Sequence, residues 1–147
     1  MIHLLDTDCL ICMIRGGRSS ARRRRREQSA VLEENCRRVQ AAGDHVGLSA
    51  VTVSELEFGA RLNGRYGQEM AAVRKVLAPF RFYDYDAVQC PPHYGRVRQE
   101  LESSGRSIGC EELLIAAHAL ALDAILVTNK DAHFRRISGL RVVNWLK

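Results

Sequence analysis

Three acidic residues stand where an α/β chain does chemistry. Asp6 directly follows the apolar run Ile2-His3-Leu4-Leu5, so it ends a short buried strand. Open parallel sheets build their ligand sites beyond the carboxyl ends of the strands. A carboxylate held there is weakly solvated and needs a cation or a proton. Glu55 falls in the first turns of a helix that follows a second apolar run, and Glu112 in the first turn of an apolar helix near the C-terminus. Helix N-termini carry partial positive charge and favour carboxylates. Strand ends and the helix starts that follow them share one edge of a parallel sheet, so these acids can meet although they are distant in sequence. Two carboxylates about 4 Å apart repel by about 4 kcal/mol at an effective dielectric of about 20, so convergence requires a shared proton or a bound cation. An all-oxygen donor set favours magnesium or manganese over zinc. Such an ion activates water and stabilises a phosphoryl transition state, which suits phosphodiester hydrolysis without a covalent intermediate.

Each acid also has a purely structural reading. Glu55 suits an exposed helix surface, and Glu112 can simply complement its helix dipole. Glu57 and Glu111 read as surface companions, Asp44 and Asp123 as turn acids, and His118 as a core histidine. The five cysteines (Cys9, Cys12, Cys36, Cys90 and Cys110) are odd in number and scattered, which argues against a disulfide framework. Cys9 and Cys12 form a lone C-x-x-C with no second ligand pair at zinc spacing, so reduced, mostly buried thiols are expected.

The elements that must position the acids follow from periodicity and stop signals. A strand over 3–5 leads to a helix that ends near Gly16-Gly17, and a loop rich in Gly, Ser and Arg runs through Arg26. Helices are expected over 29–42, from Ser49 or Thr52 to Leu62, over 68–77, over 93–102 after Pro91-Pro92, and over 110–122. Further strands are expected over 46–48, 80–85, 124–127 and 141–143. Strands alternate with helices throughout. The expected fold is therefore α/β, a three-layer α/β/α sandwich around a mostly parallel sheet of four or five strands, in one domain over 1–147. Hydrophobic residues make up 46% of the chain, enough for a real core. No apolar stretch approaches the roughly 20 residues that span a bilayer, and the N-terminus lacks the order of a signal peptide, so a cytoplasmic protein with no membrane partner is expected. The net charge of +5 favours an anionic partner; much of it lies in the run Arg22 to Arg26, which suits either a solvated loop or an RNA contact.

The same residues carry a family resemblance. Leu4-Leu5-Asp6-Thr7-Asp8, Leu48-Ser49 through Glu55-Leu56-Glu57-Phe58-Gly59, Tyr94-Gly95-Arg96-Val97-Arg98, Ile108 through Glu112-Leu113-Leu114-Ile115-Ala116-Ala117-His118 to Leu126-Val127-Thr128-Asn129, and Gly139-Leu140-Arg141-Val142-Val143-Asn144-Trp145 occur in order and at fitting spacing. The chain resembles the PIN-domain ribonucleases, specifically the VapC toxins of bacterial type II toxin–antitoxin systems. The resemblance implies a PIN-like parallel sheet between helices and an acidic cluster that binds Mg²⁺ or Mn²⁺. It implies endonucleolytic cleavage of RNA, commonly tRNA, by a homodimer inhibited by a cognate VapB-type antitoxin. By position it makes Asp6 the first metal ligand, Glu55 the second acid, and Glu112 a metal ligand where the family most often has aspartate. Thr128 and Asn129 match the polar turn that positions substrate. Lys130 and His133 stand where relatives often carry polar or acidic residues, and Asp131 offers itself as an auxiliary acid.

Two other readings compete. A protein that keeps the fold but binds RNA or antitoxin without efficient cutting is favoured by Glu112 and Lys130. Asp6-Thr7-Asp8 and Val127-Thr128-Asn129-Lys130 also resemble motifs of haloacid-dehalogenase-type phosphatases, but those enzymes need a further lysine and an acidic pair downstream, and the 17 residues after Lys130 are too few for that half of the fold.

Overall fold

The structure is a computed structural model that describes residues 1–147. The chain runs β1 (Ile2–Leu5), α1 (Thr7–Gly16), α2 (Arg23–Ala41), β2 (His45–Ser49), α3 (Ala50–Arg61), α4 (Tyr66–Leu77), β3 (Arg81–Tyr83), α5 (Cys90–Ser103), α6 (Cys110–Ala121), β4 (Ile125–Val127), α7 (Asp131–Phe134) and β5 (Arg141–Val143). Five strands form one sheet in the order β3-β2-β1-β4-β5, and every neighbouring pair is parallel. Helices cover both faces, as the alternating sequence pattern predicts.

The central strand shows why its residues are apolar throughout. Side chains alternate across a sheet, so Leu4 and Leu5 enter opposite layers. Leu4 packs with Val97, Leu101, Leu113, Ala116 and Phe134 beneath α5, α6 and α7. Leu5 packs with Leu10, Leu32, Leu48, Leu56 and Met70 beneath α1, α2, α3 and α4. No helix is long and apolar enough to cross a membrane. All five cysteines are unbridged; four are buried and Cys110 is exposed.

Some element boundaries differ from expectation. The arginine run belongs to a helix, since α2 begins at Arg23 and not at Ser29. Arginine is a good helix former, and Arg23 pairs with Glu27 one turn on at 2.9 Å. Ser29 lies buried inside that helix, and a methyl group added at Gly16 would lie only 2.3 Å from its Cβ. The third strand shortens to Arg81–Tyr83, and the one-turn α7 has no counterpart in the sequence reading.

Gly47 is required by close packing between β2 and β3. A Cβ there would sit 2.4 Å from the Arg81 carbonyl oxygen and 2.5 Å from the Tyr83 ring. Gly47→Ala is expected to destabilise the fold by about 1–3 kcal/mol, read as a lower midpoint in urea unfolding with an unchanged slope.

Candidate active site

The strand order reverses at β1. The chain steps from β1 outward to β2 and β3, then returns to place β4 on the other side of β1. Such a switch point opens a crevice at the carboxyl ends of the two central strands, and the residues that follow those ends are Asp6 and Thr128. The Asp6 N–H donates to the Val127 carbonyl at 2.9 Å, which locks the two ends together.

Asp6 is only 4% exposed. Its Oδ1 accepts from the Thr7 N–H at 2.7 Å, and its Oδ2 accepts from the Thr128 hydroxyl at 2.8 Å. That hydroxyl accepts in turn from the Lys130 N–H at 3.0 Å, so its single proton is committed to Asp6. Burial pushes the Asp6 carboxyl above the ordinary carboxylate range; the Thr128 hydrogen bond opposes the rise, the charge on Asp8 adds to it, and Thr7 and Lys130 oppose it. Next to Asp6, the Thr7 and Thr52 hydroxyls meet at 3.0 Å and join the starts of α1 and α3. Cys9 Sγ lies 3.6 Å from Asn129 Oδ1, which fixes the Asn129 side chain over α1.

Around Asp6 stand four further ionisable groups. Asp8, in the first turn of α1, pairs with Lys130 Nζ at 3.2 Å. Glu112, in the first turn of α6, meets His133 Nδ1 at 3.0 Å. The hydrogen bond that the Lys130 ammonium donates to Asp8, reinforced by the charges on Asp8, Glu112 and Asp6, holds that ammonium above its ordinary range. Lys130 thus brings a positive charge to the edge that carries Asp6, Asp8 and Glu112.

The structure brings Asp6, Glu112, Thr128 and Asn129 to one edge. Glu55 is the sixth residue of α3, about 7–8 Å down the axis from its start. It borders a groove with Ile11, Arg15, Arg18 and Glu69, one turn beyond Thr52, whose hydroxyl meets that of Thr7 beside Asp6. Asp131 is committed elsewhere. Its oxygens accept from Asn144 Nδ2 at 2.9 Å, Lys147 Nζ at 3.0 Å and Arg135 Nε at 3.3 Å, which hold it far below the usual carboxylate range. It fastens the C-terminal segment to α7. Asp8 was missed as a site residue, although it lies two residues beyond Asp6 on the helix turn that faces the same edge. His118 is a core residue as expected, with Nδ1 2.7 Å from Ser49 Oγ, and burial lowers its pKa.

No three acidic, histidine or cysteine groups converge closely enough to enclose a metal ion by themselves. Magnesium does not require that, since it keeps several waters and is commonly held by one or two carboxylates plus phosphate oxygens. Asp6 offers two oxygens, each with one neutral hydrogen bond and a lone pair remaining, and Glu112 faces the same edge. The donor chemistry therefore fits a hydrated, oxygen-preferring divalent ion.

Comparison with known proteins agrees with this geometry. A family model described as PIN domain matches residues 4–140. The chain belongs to the PIN-domain family. Within the family it is 31% identical over 147 residues to Ribonuclease VapC2 of Rickettsia felis, covering 100% of both chains. It is 35% identical over 98 residues, 67% of this chain and 74% of the relative, to the tRNA(fMet)-specific endonuclease VapC of Shigella flexneri. The crystal structure of VapBC2 from Rickettsia felis bound to a promoter DNA fragment superposes with a TM-score of 0.84 at 30% identity, covering 99% of each chain. In this PIN chain the acid edge lies at the sheet's switch point, with β1 and β4 supplying its centre.

Burial of Asp6 generates a stability prediction. Its folded-state pKa is raised above the ordinary value of 3.8, so the folded protein holds that proton more tightly than the unfolded chain does. The resulting stabilisation is fully present below pH 3.8 and is lost as pH rises through the folded pKa. At neutral pH the ionised Asp6 is a destabilising group in metal-free protein. Asp6→Asn is therefore expected to raise the melting temperature at pH 7 in chelator, with the gain shrinking towards pH 3. An unchanged or lower melting temperature at pH 7 contradicts this account of the carboxylate.

Proposed function

We propose that this PIN protein is a metal-dependent endoribonuclease toxin of a type II toxin–antitoxin system. The observation that carries the reading is Asp6, a buried carboxylate fixed at the switch point and oriented by Thr7 and Thr128. Burial disfavours the ionised form of that carboxyl, which is consistent with a role outside folding. Asp6 and Glu112 are the residues that would hold Mg²⁺ or Mn²⁺. When bound, the ion supplies an activated water and neutralises developing charge on the scissile phosphate.

The protein's own groups prepare that edge. Thr128 sets the direction of one Asp6 oxygen and the Thr7 N–H that of the other, so the carboxylate does not reorganise during reaction. Asn129, held through Cys9, keeps its amide N–H groups free to donate to the scissile phosphate. Glu55 completes the acidic cluster and helps orient or deprotonate the attacking water, while basic residues outside the pocket position the RNA backbone. Phosphate contacts of that sort fix register without reading sequence. The substrate assigned here is tRNA, in line with the tRNA-specific endonuclease among the relatives. The regulator is a VapB-type antitoxin, in line with the VapBC complexes of the same fold, and the active species is a homodimer acting in the cytoplasm as one domain over 1–147.

A binding protein that cuts poorly is the second reading, favoured because Lys130 and His133 already pair with the outer acids. Mapping RNA 5′ ends after brief induction separates the two. New ends that disappear in Asp6→Asn, together with growth arrest that also disappears, support the nuclease; bound tRNA without new ends supports the binding protein. Glu112→Asp, the commoner family residue, is expected to cleave at an equal or higher initial rate with Mn²⁺. Complete loss in that variant means the edge depends on the longer glutamate arm.

A further inference from the structure

The two outer acids of the edge carry basic partners and the buried acid does not. Asp8 pairs with Lys130 and Glu112 with His133, whereas Asp6 receives only the neutral Thr7 N–H and Thr128 hydroxyl. Both basic groups come from the short segment that follows Thr128. The Thr128 hydroxyl that orients Asp6 also accepts the Lys130 N–H, so the lysine backbone is tied to the cluster that its ammonium faces. The Lys130 and Asp8 side chains are 46% and 39% exposed. Ion pairs so exposed contribute little to stability, so folding alone does not account for an ammonium paired with Asp8 and tied through its own backbone to the hydroxyl that orients Asp6.

We propose that Lys130 is a tethered counter-ion of the acid edge, whose ammonium competes with the divalent ion and thereby sets the affinity at which that ion loads. The inference rests on the reading of Asp6 and Glu112 as the ion's ligands. In metal-free protein the ammonium neutralises part of the cluster and limits repulsion among Asp6, Asp8 and Glu112. An arriving ion brings two positive charges to the same edge, so it meets repulsion from the ammonium that Asp8 holds there. Lysine suits this exchange because its charge sits at the end of a flexible four-carbon stem. The ion and the ammonium are then alternative occupants of one field. Removing the ammonium leaves the acids uncompensated and should tighten ion binding.

Mn²⁺ alone is the probe, titrated into metal-free protein and followed by electron paramagnetic resonance of the free ion. Removal of one positive charge a few ångströms from a divalent ion is expected to tighten Mn²⁺ binding about tenfold in Lys130→Gln. Lys130→Ala should move the same way, and Lys130→Arg, which keeps the charge, should stay within about twofold of wild type. The difference between wild type and Lys130→Gln should narrow as KCl is raised, a dependence that a packing role would not produce. Thermal melts of each variant report folding separately. Equal or weaker Mn²⁺ binding in both Lys130→Gln and Lys130→Ala, with normal binding in wild type and none in Asp6→Asn, overturns the role of Lys130 alone. Absence of Mn²⁺ binding in wild type, or undiminished binding in Asp6→Asn, overturns the assignment of the acid edge and the counter-ion with it.

Discussion

The placement of one carboxylate governs the whole arrangement. Asp6 sits where the central strand gives way to the first helix, with its backbone tied to β4 and its side chain held by Thr7 and Thr128. Burial disfavours the ionised form, and only neutral donors touch it directly. A protein selected for stability alone would put an amide or an apolar group at such a point. The parallel sheet, the switch in strand order and the polar turn after β4 all have the effect of holding this charge in place.

Around that fixed centre the charges are movable. Asp8 and Glu112 reach in from the first turns of two helices, where the helix dipole supports them. Lys130 and His133 reach in from the segment after β4. The centre is rigid because its hydrogen bonds are short and buried; the periphery is adjustable because its ion pairs are partly exposed and its side chains long. A site that takes up a cation and an anionic polymer in succession needs both properties. The fixed group supplies geometry, and the flexible groups let net charge change without moving the backbone.

Much of this was legible in the sequence because local chemistry and global fold agree. An apolar strand ending in Asp6 and a buried helix carrying Glu112 appear as the sequence pattern predicts, and of the two caps it offers, Ser49 and Thr52, the structure uses Ser49. The arginine run misled because its charges suggest a solvated loop, whereas the tight contact of Gly16 with Ser29 draws the segment into α2. Asp131 is acidic and near Thr128, yet its partners Asn144 and Lys147 come from the chain's last turn, a contact that no local pattern announces. Glu55 follows the family pattern in sequence and lies a turn and a half into α3, one turn beyond the Thr52 that meets Thr7. The pairing of Lys130 with Asp8 joins residues far apart in the chain and depends on β4 lying beside β1, so it emerges only once the sheet order is known.

Crystals of the protein equilibrated with Mn²⁺ and measured at an X-ray energy where manganese scatters anomalously would test the central idea most directly. The account predicts an anomalous peak at coordination distance from an Asp6 oxygen, with Glu112 bound directly or through water. A peak only at other residues, or a fully formed edge that stays empty at saturating Mn²⁺, would contradict it.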